Sequence, residues 1–197
     1  MNDYSRLIEE VGQYTKTVVK KSRYEHCERV AEMCAKICRL NGMNEEEGYL
    51  AGIGHDMCKE CSGDELIELA KRYGKPVLEC EMKTPSFLHG RAAAVVMKEK
   101  FYIDNKNILE AVAYHIHGVM GMCNLTKALF LADKIEPKRP QSTEDYRSNL
   151  LKLPLDEMFV SVFEENMQYI IKKGYVVFPG TPEILKYYKN ELGKKNA

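Results

Sequence analysis

No stretch of this 197-residue chain is apolar for long enough to suggest a membrane span, and none repeats or collapses into low-complexity sequence. No composition shift separates one part of the chain from another, so one domain with a substantial core is the natural expectation. The opening Met1-Asn2-Asp3-Tyr4-Ser5-Arg6 lacks the apolar run of a secretory leader. An excess of one charge is also missing. Lys plus Arg and Asp plus Glu each total 29, which removes any global electrostatic argument for nucleic-acid binding while leaving a local basic patch open. There is no glycine-rich ATP loop, and Gly118-Val119-Met120-Gly121 reads as a turn rather than a dinucleotide fingerprint. Cys58-x-x-Cys61 has the spacing of a redox or zinc half-site, but no second pair and no thioredoxin-like strand accompany it. The odd count of seven cysteines favours free thiols in a reducing compartment, hence a cytoplasmic location. Strand signals are scarce, with Tyr175-Val176-Val177-Phe178 the one good short candidate.

What the chain does have is helical periodicity from end to end. Segments 3–20 and 23–40 carry apolar stripes, the second with Ser22 and Glu25 spaced as a capping box and Asn41-Gly42 as a stop. Asn44 caps the next helix, whose first turn holds Glu45, Glu46 and Glu47. Further helices are expected over 63–73, behind a Ser62 cap, and over 77–82, 86–101, 105–117 and 125–135, the last behind Asn124. A short helix around 143–151 follows a Pro-containing irregular stretch. The strongest C-terminal helix starts at Pro154, buries Phe159, Val162, Phe163, Met167, Ile170 and Ile171, and ends at Gly174. Pro182 starts a last short helix ending before Gly193, and the Lys-rich end reads as a solvated tail. The pattern predicts an all-α bundle.

Chemistry concentrates in the histidines. Four of the five, His26, His55, His89 and His115, fall near helical cores or helix ends, where an imidazolium would be costly. Metal coordination would satisfy a nitrogen and favour the neutral ring, whereas a hydrogen-bonded core histidine explains each one taken singly. Gly54-His55-Asp56-Met57-Cys58-Lys59 places two possible ligands about 100° apart if helical, and Asp133 ends another helical stretch.

The ordered set resembles the HD-domain metal-dependent phosphohydrolases, and more closely the YqeK-type family of symmetrical bis(5'-nucleosyl)-tetraphosphatases. The likeness runs from about 22 to 173. It rests on Tyr24-Glu25-His26-Cys27-Glu28-Arg29-Val30, Leu50-Ala51-Gly52-Ile53-Gly54-His55-Asp56-Met57-Cys58-Lys59-Glu60, Leu88-His89-Gly90, Ala113-Tyr114-His115 and Leu131-Ala132-Asp133-Lys134-Ile135-Glu136-Pro137-Lys138-Arg139. The resemblance implies a single all-α HD-domain helical bundle with a dinuclear centre, iron being the expected metal and other divalent transition metals an alternative. His26, His55, Asp56 and Asp133 would hold one ion, and Asp56 would bridge to a second completed by His89 and His115. The implied reaction is metal-assisted attack of water on an inner phosphorus of diadenosine tetraphosphate, giving two ADP, with Asp56, Lys59 and Arg139 as catalytic residues.

Lys59 would contact phosphate or an oxygen on the metal, or serve as a helix-end cation. Arg139 would fork onto phosphate, or remain a solvated loop charge. Glu136 would orient Arg139 or another basic group, or form a helix-end salt bridge. Arg91 would neutralise substrate charge, or be an exposed cation. Where the family has His-Thr-Thr-Gly, this chain has His115-Ile116-His117-Gly118. His117 would contact the leaving phosphate or move a proton, or sit at the pocket rim. The expected partner is a dinucleoside polyphosphate, with neither membrane nor nucleic acid, and a homodimer is compatible. Another HD-type nucleotide phosphohydrolase and a non-catalytic nucleotide or alarmone sensor are the competing readings. Product identity separates the first, and binding without turnover the second.

Overall fold

The structure, a computed structural model, describes residues 4–195, and among these it contains eleven α-helices, one 3-10 turn and no strand. In order these are α1 (Tyr4–Val18), α2 (Lys21–Leu40), α3 (Glu45–Gly54), α4 (Gly63–Lys71), α5 (Glu79–Lys83), the 3-10 turn Pro85–Leu88, α6 (His89–Phe101), α7 (Lys106–Tyr114), α8 (Asn124–Ile135), α9 (Glu144–Leu150), α10 (Leu155–Lys172) and α11 (Thr181–Lys195). Helix α3 is the hub: α1, α2, α7 and α8 all pack on it. It earns that place through small residues. A Cβ added at Gly52 would lie 2.5 Å from Ala31 Cα and 2.8 Å from Ala31 N, so α2 and α3 touch backbone to backbone there.

Local chemistry sets most boundaries. The Asn44 side chain accepts from the Glu46 and Glu47 amides at the start of α3, and Ser62 and Glu65 close a reciprocal capping box on α4. Asn105 and Thr143 cap α7 and α9 in the same way. The C-terminal half of the bundle closes over Phe130, Phe159 and Phe163, whose ring centroids lie 5.1–5.3 Å apart on α8 and α10. Burying each such ring contributes roughly 1.5–3 kcal/mol.

Several expectations need correction. Ser22 does not cap α2, because the helix already starts at Lys21 and Lys20 takes the cap position with no side-chain bond. Asn124 lies inside α8, with Cys123 at its cap. Tyr175 to Phe178 form no strand. A lone extended segment has no neighbour to complete a backbone ladder, and these residues form a connector instead. Helix α10 fully buries its face as far as Phe163 and packs Met167 partly buried against the core; Ile171 is exposed, and Ile170 turns toward a cavity. Helix α11 runs through Gly193 to Lys195, while the last two residues of the Lys-rich end lie outside the described residues.

Replacing Gly52 by Ala should therefore force α2 and α3 apart. We expect a loss of roughly 1–3 kcal/mol, the usual range for overpacking a tight contact, read as a lowered midpoint in urea unfolding.

Candidate metal centre and phosphate cavity

Three of the four candidate histidines occupy the same local position. His55 follows α3, His115 follows α7, and His89 follows the 3-10 turn, so each is the first residue past a helical turn. Carbonyls in a last turn have no partner within the helix. Each imidazole uses one: Nδ1–H donates to the carbonyl three residues earlier, Gly52 for His55 (2.7 Å), Ser86 for His89 (2.5 Å) and Val112 for His115 (2.8 Å). A carbonyl only accepts, so each neutral ring carries its proton on Nδ1 and turns an Nε2 lone pair inward. His26, within α2, reaches the same state through a carboxylate, donating from Nδ1 to Glu136 Oε1 at 3.1 Å.

These lone pairs converge on Asp56, which sits in the turn beyond α3 rather than on the helix itself. His89 Nε2 and His115 Nε2 lie 3.0 and 3.7 Å from Asp56 Oδ1, and His55 Nε2 lies 3.6 Å from Asp56 Oδ2. Possible ligand atoms of His26, His55 and Asp56 fall within 4.8 Å of one another, as do those of Asp56, His89 and His115. His26 Nε2 is 3.1 Å from Asp133 Oδ1. All six residues are more than nine-tenths buried.

The site fits a cation on its own terms. His55 Nε2 and Asp56 Oδ1 are fully enclosed and make no hydrogen bond. His89 Nε2 and His115 Nε2 face each other at 3.3 Å, two lone pairs with no proton of their own between them. Buried polar atoms of this kind are costly unless paired, and a divalent ion accepts nitrogen and carboxylate donors together. Burial pushes His55 down to about 3 and lowers His89, keeping both rings neutral and competent as donors. Burial opposes ionisation of Asp56, and the Arg23 guanidinium, 3.0 Å from Oδ2, favours its carboxylate. Asp133 is held low: the Lys134 ammonium and the Arg139 guanidinium outweigh its burial.

Beyond this centre opens a cavity of about 760 Å³. Four cations line it. Arg23 donates to Asp56 Oδ2 (3.0 Å) and Lys59 Nζ reaches His89 Nε2 (3.2 Å). Lys134 Nζ bonds Asp133 Oδ2 (2.6 Å) and the His115 carbonyl (3.1 Å). Arg139 bonds the Asp133 carbonyl through Nε (2.7 Å) and Asp133 Oδ1 through Nη2 (2.6 Å). The loop after α8 brings Arg139 back toward Asp133, and it is tied down where Ser142 Oγ donates to the Ile135 carbonyl and Arg147 to the Ser142 carbonyl.

The remaining expected residues lie elsewhere. Arg91 is buried and neither exposed nor cavity-lining; its Nη2 pairs with Glu81 at 2.5 Å and its Nη1 holds the Pro76 carbonyl at 3.0 Å. These contacts tie α6 to α5 through Glu81 and to the loop before α5 through Pro76. Glu136 turns away from the cavity, binding Arg29 Nε (2.7 Å), the Lys138 amide (2.7 Å) and His26, so of the basic groups it was expected to orient it holds Arg29 and not Arg139, and it orients a ligand candidate as well. His117 stacks on Phe178 at 3.9 Å with its Nδ1–H on the Gly118 carbonyl, off the cavity lining. Arg23, Lys134 and Arg29 went unassigned from sequence. Arg23 and Arg29 lie three residues either side of His26 on α2, a spacing that could have signalled them.

Replacing Glu136 by Ala frees the Nδ1 of His26 and lets its tautomer drift. Metal affinity is expected to fall roughly 10–100-fold, measured by competition with a chelating dye.

The HD domain family matches residues 23–138. The chain is 28% identical over 185 residues to the symmetrical bis(5'-nucleosyl)-tetraphosphatase of Staphylococcus aureus, covering 92% of this chain and 94% of that protein. It is 26% identical over 173 residues to the enzyme of the same name from Bacillus subtilis, covering 88% and 92%. A crystal structure from Clostridium acetobutylicum, described as a predicted HD superfamily hydrolase involved in NAD metabolism, superposes with a TM-score of 0.84 at 24% identity over 93% of this chain and 97% of that one. A family match across more than half the chain, on the stretch that carries His26, His55, Asp56, His89, His115 and Asp133, makes this chain a member of the HD-domain family.

Proposed function

We propose that this protein hydrolyses diadenosine tetraphosphate symmetrically, as its relatives of that name do, adding one water across the central phosphoanhydride to release two ADP. It is a metal-dependent phosphoric anhydride hydrolase of the HD family. The observation that carries the reading is the pair of ligand sets sharing Asp56, with the buried Oδ1 of Asp56 and Nε2 of His55 lacking any partner.

We assign His26, His55, Asp56 and Asp133 to one ion and Asp56, His89 and His115 to a second, with iron as the expected metal. Asp133 is the least free of these donors, since Lys134 and Arg139 already engage both of its oxygens. Bound divalent metal supplies Lewis acidity and lowers the pKa of water to near neutrality. The chain's own groups do the rest. Lys59, an exposed residue lining the cavity, holds its Nζ 3.2 Å from His89 Nε2, a position suited to a phosphoryl oxygen. Arg139, anchored through Nε and Nη2 on Asp133, offers the rest of its guanidinium to a second phosphate. Arg23 and Lys134 add positive charge around the same carboxylates. Cations fixed in place before substrate arrives stabilise charge developing on the bridging oxygen without reorganising.

The chain works as one unit in this reading. That is supported by α10 packing on α8 and α11 packing on α10, which extend the same core past the family match. A reducing compartment such as the cytoplasm suits the seven unpaired thiols, and no described helix is long and apolar enough to cross a membrane.

The test is product-resolved turnover of diadenosine tetraphosphate under anaerobic, metal-replete conditions, with metal content measured in parallel. Two ADP per substrate are expected, and AMP with ATP, or no cleavage, would contradict the assignment. Asp56→Ala should lose both turnover and bound metal. Chelation should lower the melting temperature of the native protein but leave that of Asp56→Ala almost unchanged, because binding stabilises only a fold that retains the site.

A further inference from the structure

One wall of the cavity has no part in metal or phosphate chemistry. On α10, Val162, Asn166, Tyr169 and Ile170 recur at helical spacing and face the cavity, and Tyr175 completes the wall. Tyr169 and Tyr175 line the open side of the cavity and remain 51% and 63% exposed, with Lys173 Nζ 5.8 Å from the Tyr169 ring centroid. The Asn166 amide makes no hydrogen bond within the described residues.

Tyr175 is nevertheless held at both ends of its segment. Helix α10 stops with Gly174 in the left-handed region at φ +69, where its amide bonds the Ile171 carbonyl (3.0 Å) and the Tyr175 amide bonds the Ile170 carbonyl (3.1 Å). That paired arrangement is a Schellman stop, which sets the residue after the glycine beside the third from the helix end, here Tyr175 beside Ile170. Three residues on, Phe178 stacks on His117 at 3.9 Å and 8° and meets Phe87 edge-on at 5.6 Å. The connector's backbone is thus anchored on both sides of Tyr175 while the ring itself stays uncovered.

We propose that Tyr169, Tyr175 and Asn166 form a nucleobase subsite that takes the purine of one nucleoside diphosphate half of the substrate, the rings stacking on it and the amide meeting its polar edge. This rests on the function proposed above and adds where the nucleoside binds. A purine presents adjacent donor and acceptor groups that a carboxamide can pair with. His117 acts in this arrangement through Phe178, positioning the connector.

The test is calorimetric titration of the metal-loaded protein with ADP and, separately, with inorganic pyrophosphate, which has no base. Tyr175→Ala and Tyr169→Ala should each weaken ADP roughly ten-fold, the scale of one base–aromatic contact, with pyrophosphate unchanged. Asn166→Ala should weaken ADP several-fold with the same selectivity. Tyr175→Phe should restore wild-type affinity, since stacking needs the ring and not the hydroxyl. Equal losses for both ligands, or unchanged ADP binding in the two tyrosine variants, would overturn the subsite. Wild-type turnover of diadenosine tetraphosphate is measured alongside. Its absence, with selective ADP loss intact, would fault the assigned reaction while upholding the subsite.

Discussion

A carboxylate enclosed by protein, faced by imidazoles that offer it lone pairs instead of protons, is the constraint around which this molecule is built. Asp56 is ionised and buried. Arg23 compensates one of its oxygens at 3.0 Å, while the other has no hydrogen-bond partner. The facing rings add no compensation for that second oxygen, because His55, His89 and His115 have each committed their ring proton to a backbone carbonyl. Divalent metal resolves the conflict, which is why the geometry speaks for a metal centre and against a set of satisfied core histidines.

The helices serve this constraint through their ends. A helix terminus leaves carbonyls without partners, and a histidine placed just past it can take one. The same device recurs at α3, at the 3-10 turn and at α7, so three separate segments deliver rings in one tautomer. The fourth ring depends on side chains instead: Glu136 fixes His26 and is itself fixed by Arg29 and the Lys138 amide. Close backbone contact at Gly52 then sets α3 against α2, so that His26 and His55 meet.

Around the centre the cavity divides by polarity. Its floor carries Arg23, Lys59, Lys134 and Arg139, and its far wall carries tyrosines and aliphatic side chains from α10 and the following connector. A polyanion flanked by aromatic bases matches that division, with phosphates where the cations converge and a ring where uncovered aromatic surface remains. Arg91 is absent from the cavity lining because Glu81 and two carbonyls occupy it in the interior, where an unpaired guanidinium would be costly.

Read alone, the residues settled the all-α class, most helix positions and the caps at Asn44 and Ser62, since these follow from periodicity and bonds between near neighbours in the chain. The ordered motifs around His26, His55-Asp56, His89, His115 and Asp133 also pointed to the family. Tertiary structure alone decided that His26 answers to Glu136 across 110 residues, that Arg91 is spent on Glu81, that His117 packs on Phe178, and that Tyr175 to Phe178 form a connector and not a strand. Those outcomes depend on which distant side chain wins a given partner. Local pattern shows what a residue can bind, and only the packed chain brings one of the candidates within reach.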